Sequence, residues 1–195
     1  MILTLHNLAL ARGGRILFEN LSLEARAGEF VVIRGRNGAG KTSLLRAVAG
    51  WLRPHAGRIA FADGVDASSS LHVIGHGDGL KGGLGVGAHV AYWAGLLGGE
   101  RASVAPALDQ VGLAALADLP ARILSRGQAR RLALARLLVA PRPIWLLDEP
   151  AAGLDGDGKA LLDAMIGAHC AAGGVALAAL HEALGPNPDH VVQLG

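Results

Sequence analysis

Two hydrophobic rhythms run through the chain. Residues 2–10 (ILTLHNLAL) alternate apolar and polar positions, the period of a strand with one wet face. Gly13-Gly14 supplies a turn, and residues 16–25 return as a second strand paired with the first. From residue 30 the pattern changes. Short apolar runs at 30–34, Leu71–Ile74, Ile144–Leu147 and Val175–Leu180 read as buried strands. Arg58–Phe61 is a short strand behind the turn Pro54-His55-Ala56-Gly57, and Val191–Leu194 is a short edge strand. Helical spacing follows residue 42 (Leu44, Leu45, Val48, Ala49) and ends near Gly50. It recurs at 88–98, at 102–116 with Ser103 as N-cap, at 129–139 until Pro141 and Pro143, and at 158–172 until Gly173-Gly174. Residues 63–70 read as a polar loop, and the glycine-rich stretch 75–87 as the most flexible part of the chain. Strands alternating with helices after a small β beginning predict an α/β fold around a mainly parallel sheet, with a short helical insert.

Composition narrows the setting. The 195 residues suffice for one domain with a sizeable core. Apolar residues make up 51% and charged residues 17%, yet no run reaches the roughly 18 apolar residues of a membrane span. The beginning MILTLHNLAL has no basic leader and no cleavage site, so a cytosolic chain is expected. A single cysteine, Cys170, leaves no intrachain disulfide, no Cys-pair metal site and no haem-attachment motif. The net charge of +2 is modest. Arginines gather at 122, 126, 130, 131, 136 and 142. No aromatic residues interleave with them to stack bases, so they read as a solvated helix face or subunit contact, and no nucleic-acid partner is expected.

The chemistry begins at residues 31–46, VVIRGRNGAGKTSLLR. A β-branched strand leads into Gly35-Arg36-Asn37-Gly38-Ala39-Gly40-Lys41-Thr42, followed by Ser43 and an apolar helix. Glycines let backbone N–H groups curl round a phosphate, and the helix start adds its dipole and free donors. Lys41 is a point charge for the β- and γ-phosphates, and the Thr42 hydroxyl can ligate Mg²⁺. The strand PIWLLDE puts Asp148 and Glu149 at its C-terminal tip, the edge of an open α/β sheet where ligands bind. Asp148 is the candidate to hold Mg²⁺, and Glu149 the candidate to polarise an attacking water. Leu124-Ser125-Arg126-Gly127-Gln128 opens the helix at 129–139, a second helix start with phosphate-facing donors. Two such starts far apart in the chain suggest a nucleotide shared between two subunits.

In these motifs the chain resembles the ATP-binding subunit of an ABC transporter, over essentially its whole length. Gly35–Thr42 matches Walker A, Ile144–Asp148 Walker B, and Ala152-Gly153-Leu154-Asp155 the D-loop. Leu124–Gln128 matches the signature LSGGQ, with Arg126 for its first glycine. His181 matches the switch histidine, and His76 stands where the Q-loop glutamine is usual. The resemblance implies a P-loop NTPase of the ABC ATPase type spanning 1–195, with a helical subdomain over about 86–140. It implies ATP and Mg²⁺ as ligands and two copies stacked head to tail. Gly35, Arg36, Asn37, Gly38, Ala39, Gly40, Lys41, Thr42, Ser43 and His76 would then hold ATP. Ser125, Gly127 and Gln128 would reach the partner's nucleotide. Thr42 and Asp148 would hold Mg²⁺, and Lys41, Glu149 and His181 would carry the chemistry. The aromatic residue that stacks on adenine in the family falls at Arg12, whose planar guanidinium can also stack.

The Gly75-His76 variant, the loop GLKGGLGVGAHV and the helix LSRGQARRLALARLL resemble one branch, the haem exporter or cytochrome c maturation ATP-binding subunits. That branch implies a peripheral protein on the cytoplasmic face of the bacterial inner membrane. It would pair with an integral membrane subunit and power a haem-handling step, touching haem or its chaperone only indirectly. The alternatives are an exporter of another substrate, a DNA-repair or chromosome ATPase head, and a non-hydrolysing scaffold. Heads of the second kind carry long coiled-coil inserts, which this chain lacks. Lys41, Asp148, Glu149 and His181 together speak against the third.

Overall fold

The computed structural model describes residues 2–62, 64–181, 184 and 186–195. The strands are β1 (Leu3–Arg12), β2 (Arg15–Ala25), β3 (Phe30–Gly35), β4 (Ala56–Phe61), β5 (Leu71–Ile74), β6 (Ile144–Asp148), β7 (Val175–Ala179) and β8 (His190–Leu194). The α-helices are α1 (Lys41–Val48), α2 (Ala67–Ser70), α3 (Val86–Leu97), α4 (Val104–Gln110), α5 (Arg126–Val139) and α6 (Gly156–Ala171). A five-stranded sheet in the order β5-β6-β7-β3-β8 has parallel pairs throughout, and a three-stranded antiparallel sheet has the order β2-β1-β4. The small β beginning and the parallel core are therefore as the pattern predicts, with β8 at an edge.

The apolar runs of β3, β5, β6 and β7 are buried on both faces, whereas β8 leaves His190, Val191 and Gln193 exposed, and side-chain alternation divides the buried strands between two cores. Val31, Ile33, Ile144, Leu146, Val175, Leu177 and Ala179 join the inner residues of β1 and α1. Phe30, Val32, Trp145, Leu147, Ala176 and Ala178 face the other way, onto Leu134 and Leu137 of α5 and Leu162, Met165 and Ile166 of α6. A third cluster gathers Val86, Val90 and Ala94 of α3, Ala107 and Leu108 of α4, and Leu132, Ala135 and Val139 of α5. Thus α5 is common to two cores. Among the described residues no helix is long and apolar enough to cross a membrane.

Several local expectations change. Asp63, at the start of the predicted polar loop 63–70, lies outside the described residues, and the end of that loop is α2. The helix expected over 102–116 is three pieces: a 3-10 turn at Arg101–Ser103, α4, and another 3-10 turn at Ala114–Leu116. The chain reverses at Gly112, whose φ of +68° is a conformation open to glycine. Ser103 does not cap α4; its Oγ donates to the carbonyls of Glu100 at 2.6 Å and Val139 at 3.2 Å. The glycine-rich stretch is tied down at Lys81, whose carbonyl meets His89 Nε2 at 2.9 Å, and at Gly85, which bridges to Pro120.

The arginine-rich segment is not a solvated face throughout. Arg142 Nη1 donates to Leu71 O at 3.0 Å, Arg136 Nη2 to Val73 O at 2.8 Å, and Arg130 Nη1 to Gly75 O at 2.9 Å. These are alternate residues on β5 and its continuation, so their carbonyls face one side, away from β6. Three guanidinium groups thus cap the outer edge of the sheet. Arg136 also lies over the Trp93 ring, and burial lowers its pKa to about 10.

Two histidines lie close to this edge, His72 buried on β5 and His169 half-buried on α6. His72 is 2% exposed with Nε2 2.6 Å from Ala140 O, and burial pushes it down to about 4. His169 stacks on Trp145 at 3.9 Å and is lowered by the same cause. The unfolded chain therefore takes up protons first as pH falls. The stability the neutral His72 ring contributes is complete above pH 6.5 and is lost as pH drops toward 4. At about 1.4 kcal/mol per pKa unit, His72 alone removes about 3 kcal/mol across that window. Urea midpoints between pH 7 and 4.5 should fall steeply for the native protein and less for His72→Gln. Equal slopes would show that His72 does not carry the effect.

Candidate active site

The site forms where β3, β7 and β6, adjacent in the sheet, present their C-terminal ends. Leaving β3, the backbone turns at Gly35, where a Cβ would stand 2.4 Å from Leu194 O, so only glycine fits. The loop 35–40 then enters α1. Gly40 occupies the N-cap in a left-handed conformation, with no side chain capping the first turn. By contrast, α6 starts with Asp155 accepting from Gly158 N, and α5 with Ser125 accepting from Gln128 N. The first turn of α1 therefore keeps its N–H donors for an anion.

Lys41 is 7% exposed, and its ammonium donates to Gly35 O at 2.8 Å and Arg36 O at 3.4 Å. The charge is held by two loop carbonyls across the concavity of the loop. Thr42 Oγ1 lies 3.0 and 2.9 Å from the two carboxylate oxygens of Asp148, joining α1 to the tip of β6. Hydroxyl and carboxylate are hard oxygen donors, and Mg²⁺ is commonly held by such a pair together with substrate phosphates. The residues present fit that ion.

Beyond Asp148 the chain leaves the strand. Glu149 has φ +50°, a left-handed conformation rare outside glycine, and its N–H donates to Ala179 O at 3.1 Å. Its side chain is aimed by this turn rather than by the pleat alternation expected for a strand end. Glu149 Oε1 meets His181 Nε2 at 2.7 Å, and both side chains are partly exposed. A cleft of about 560 Å³ is lined by Arg12, Leu17, Asn37, Gly38, Gly40, Lys41, Thr42, Ser43, Arg46 and Glu149. The fold thus gathers Arg12, the phosphate loop and Glu149 at one surface, with His181 bonded to Glu149.

The other sequence candidates stand apart. His76 is exposed in the loop after β5. Ser125, Gly127 and Gln128 are at the start of α5 and do not line the cleft. Ser125 and Gln128 form a reciprocal capping box, with Ser125 N donating to Gln128 Oε1 at 2.9 Å. The Ser125 hydroxyl accepts within the cap and keeps its own hydrogen for a ligand. Arg126 lies across Gly153, so the start of α5 and the 152–155 turn are in contact.

Sequence reasoning missed Arg130 altogether. It is 1% exposed, within a helix whose arginines read as solvated. Nε donates to Pro150 O at 2.9 Å, Nη2 to Glu149 O at 2.8 Å and Asp148 O at 3.3 Å, and Nη1 to Gly75 O at 2.9 Å and Asp78 Oδ1 at 3.0 Å. Four of the five acceptors are main-chain carbonyls, which leave no mark in a sequence.

Comparison with known proteins agrees with this geometry. The family model described as ABC transporter matches residues 18–152. The "Cytochrome c biogenesis ATP-binding export protein CcmA" of Rhodopseudomonas palustris (strain BisB5) is 47% identical over 188 residues, covering 95% of this chain and 94% of its own. The protein of the same name from Bradyrhizobium diazoefficiens is 51% identical over 178 residues, covering 89% and 88%. A solved putative ABC transporter ATP-binding protein from Pyrococcus furiosus superposes with a TM-score of 0.86 at 24% identity, covering 100% of this chain and 98% of its own. That last likeness shows the fold. Phosphate loop, Asp148 strand and family match point the same way: the chain belongs to the ABC transporter family, as one of its ATP-binding proteins.

Proposed function

We propose that this ATPase drives an export step in the biogenesis of c-type cytochromes, as a head-to-tail pair bound to an integral membrane subunit. The observation that carries the reading is the meeting of Lys41, the Thr42–Asp148 contact and the Glu149–His181 contact at one sheet edge. Identity near one half to relatives named for cytochrome c biogenesis export supplies the branch. In this reading the complex sits at the cytoplasmic face of the bacterial inner membrane, and the exported or released species is haem or a haem-loaded carrier.

The chain's own groups divide the work. Loop N–H groups of Gly38, Gly40 and Lys41 and the N-terminus of α1 cradle the phosphates. The Lys41 ammonium moves from the loop carbonyls to the β- and γ-phosphate oxygens, where it offsets charge that spreads in the transition state. Thr42 and Asp148 would hold Mg²⁺, which when bound neutralises phosphate charge. Glu149 orients and polarises the attacking water, and His181, bonded to its carboxylate, keeps that side chain in place and reaches the γ-phosphate. Arg12 offers a plane for the base. One copy leaves the nucleotide covered on one side only, since Ser125 and Gly127 lie outside the cleft. A second copy, turned head to tail, brings them to the open side.

Exposed apolar groups support a further partner. Tyr92 and Leu96, one turn apart on α3, are 53% and 59% exposed, and Trp51 is 67% exposed. The test is recovery of the Glu149→Gln protein, held in ATP, from detergent-solubilised membranes of its own source. An integral membrane subunit accompanied by cytochrome-assembly proteins or haem is expected. A permease of another system would overturn the cytochrome branch, and recovery without any membrane protein would overturn the transporter reading.

A further inference from the structure

Arg130 spends all five of its N–H donors. Three consecutive carbonyls, those of Asp148, Glu149 and Pro150, accept from Nε and Nη2. The other two donors go to Gly75 O and Asp78 Oδ1, on either side of His76 and Gly77. A guanidinium is the one side chain with five donors in a fixed plane, and here each has an acceptor. Its charge, 1% exposed, is balanced by the partly exposed Asp78 carboxylate.

The segment it grips is the one with an unfavourable backbone. Glu149 is one of three non-glycine residues with positive φ among the described residues. Such a conformation persists only where the surroundings hold it. Three groups hold it: Ala179 O, which accepts from Glu149 N, Ala152 N, which donates to Glu149 O at 3.1 Å from the turn that follows, and Arg130, which holds the carbonyls on both sides and that of Glu149 itself. The turn in turn aims the carboxylate at His181.

We propose that Arg130 is a positioning residue for ATP hydrolysis, holding the Glu149 turn in register with the loop at Gly75–Asp78. A displacement of that loop pulls on Arg130 and so on the carboxylate, without any contact between the loop and the nucleotide. The inference rests on Glu149 being the carboxylate of hydrolysis.

Arg130→Lys keeps the charge and loses the fork. It is expected to bind ATP within about twofold of the native protein while kcat falls at least tenfold at unchanged KM, the size of loss a displaced positioning contact produces. In the Glu149→Gln background it should add no further loss, because both changes act through one carboxylate. Native kcat in Arg130→Lys, or an ATP affinity that falls in step with kcat, would overturn the proposal. If Arg130→Lys does not fold, Asp78→Asn decides: it removes the counter-charge at a partly exposed position, and should lower kcat several-fold with ATP affinity and thermal midpoint preserved. A native kcat there overturns the proposal. Native turnover in Glu149→Gln alone would remove the underlying reading, whereas an inactive Glu149→Gln beside a fully active Arg130→Lys removes only the role of Arg130.

Discussion

Lys41→Ala is expected to bind ATP about 10² to 10⁴ times more weakly and to show no measurable turnover. The lysine offers charge-assisted hydrogen bonds to two phosphates, each worth about 1.5–3 kcal/mol in a sheltered site. Its ammonium is already on station, 2.8 Å from Gly35 O, so binding requires only a small shift from carbonyl to phosphate oxygen. The stability cost should be modest, because the carbonyls left behind belong to Gly35, which is half-buried, and Arg36, which is exposed. Calorimetric titration with ATP, beside a thermal melt, separates the two effects. Affinity within threefold of the native protein would show that the loop does not take the phosphates.

Glu149→Gln should behave in the opposite way, with ATP affinity kept and turnover lowered by about 10² to 10⁴, the usual contribution of a positioned acid–base group. Glutamine has the same shape and can still accept from His181 Nε2, so the 2.7 Å contact and the local turn need not change. What is lost is the negative charge that polarises water. Since bound ATP is no longer consumed, the nucleotide-bound pair should accumulate, visible as a doubled mass in sedimentation with ATP and absent with ADP. Single-turnover hydrolysis at the native rate would exclude Glu149 as the key carboxylate. His181→Ala is the natural companion: a comparable fall, with no further fall on adding Glu149→Gln, is expected of two groups acting as one unit.

Much of the fold was legible because period and composition are local quantities. Val31, Val32 and Ile33 announce a buried strand, and the alternation between the two cores follows from the pleat alone. The phosphate loop was legible because its glycines, lysine and threonine must stand at fixed offsets. The breaks were less so. A helical period continues through Val111-Gly112-Leu113 in the sequence, but the glycine adopts φ +68° and the chain turns. Ser103 looks like a cap, yet its hydroxyl goes to the carbonyls of Glu100 and Val139 and makes no bond to the first turn of α4. Arg130 was illegible for a deeper reason. An arginine in a helix beside other arginines reads as wet, and what makes it dry is a set of carbonyls contributed by segments 20 and 55 residues away. Likewise, nothing in Asp148-Glu149-Pro150 signals that the middle residue is left-handed.

The row of Arg130, Arg136 and Arg142 along β5 has a consequence for how copies of this protein meet at high concentration. An uncovered strand edge is a template for another chain's strand, the usual first step toward fibrous or amorphous precipitates. On β5 the outward carbonyls are already occupied by arginine N–H groups, and an incoming strand would have to displace buried or half-buried cations to pair there. Strand addition to the parallel sheet is thereby confined to its other margin, β8, a five-residue strand. Colloidal behaviour during preparation should accordingly respond to changes on the outer face of β8 and be indifferent to changes along β5 that leave the three guanidinium groups in place.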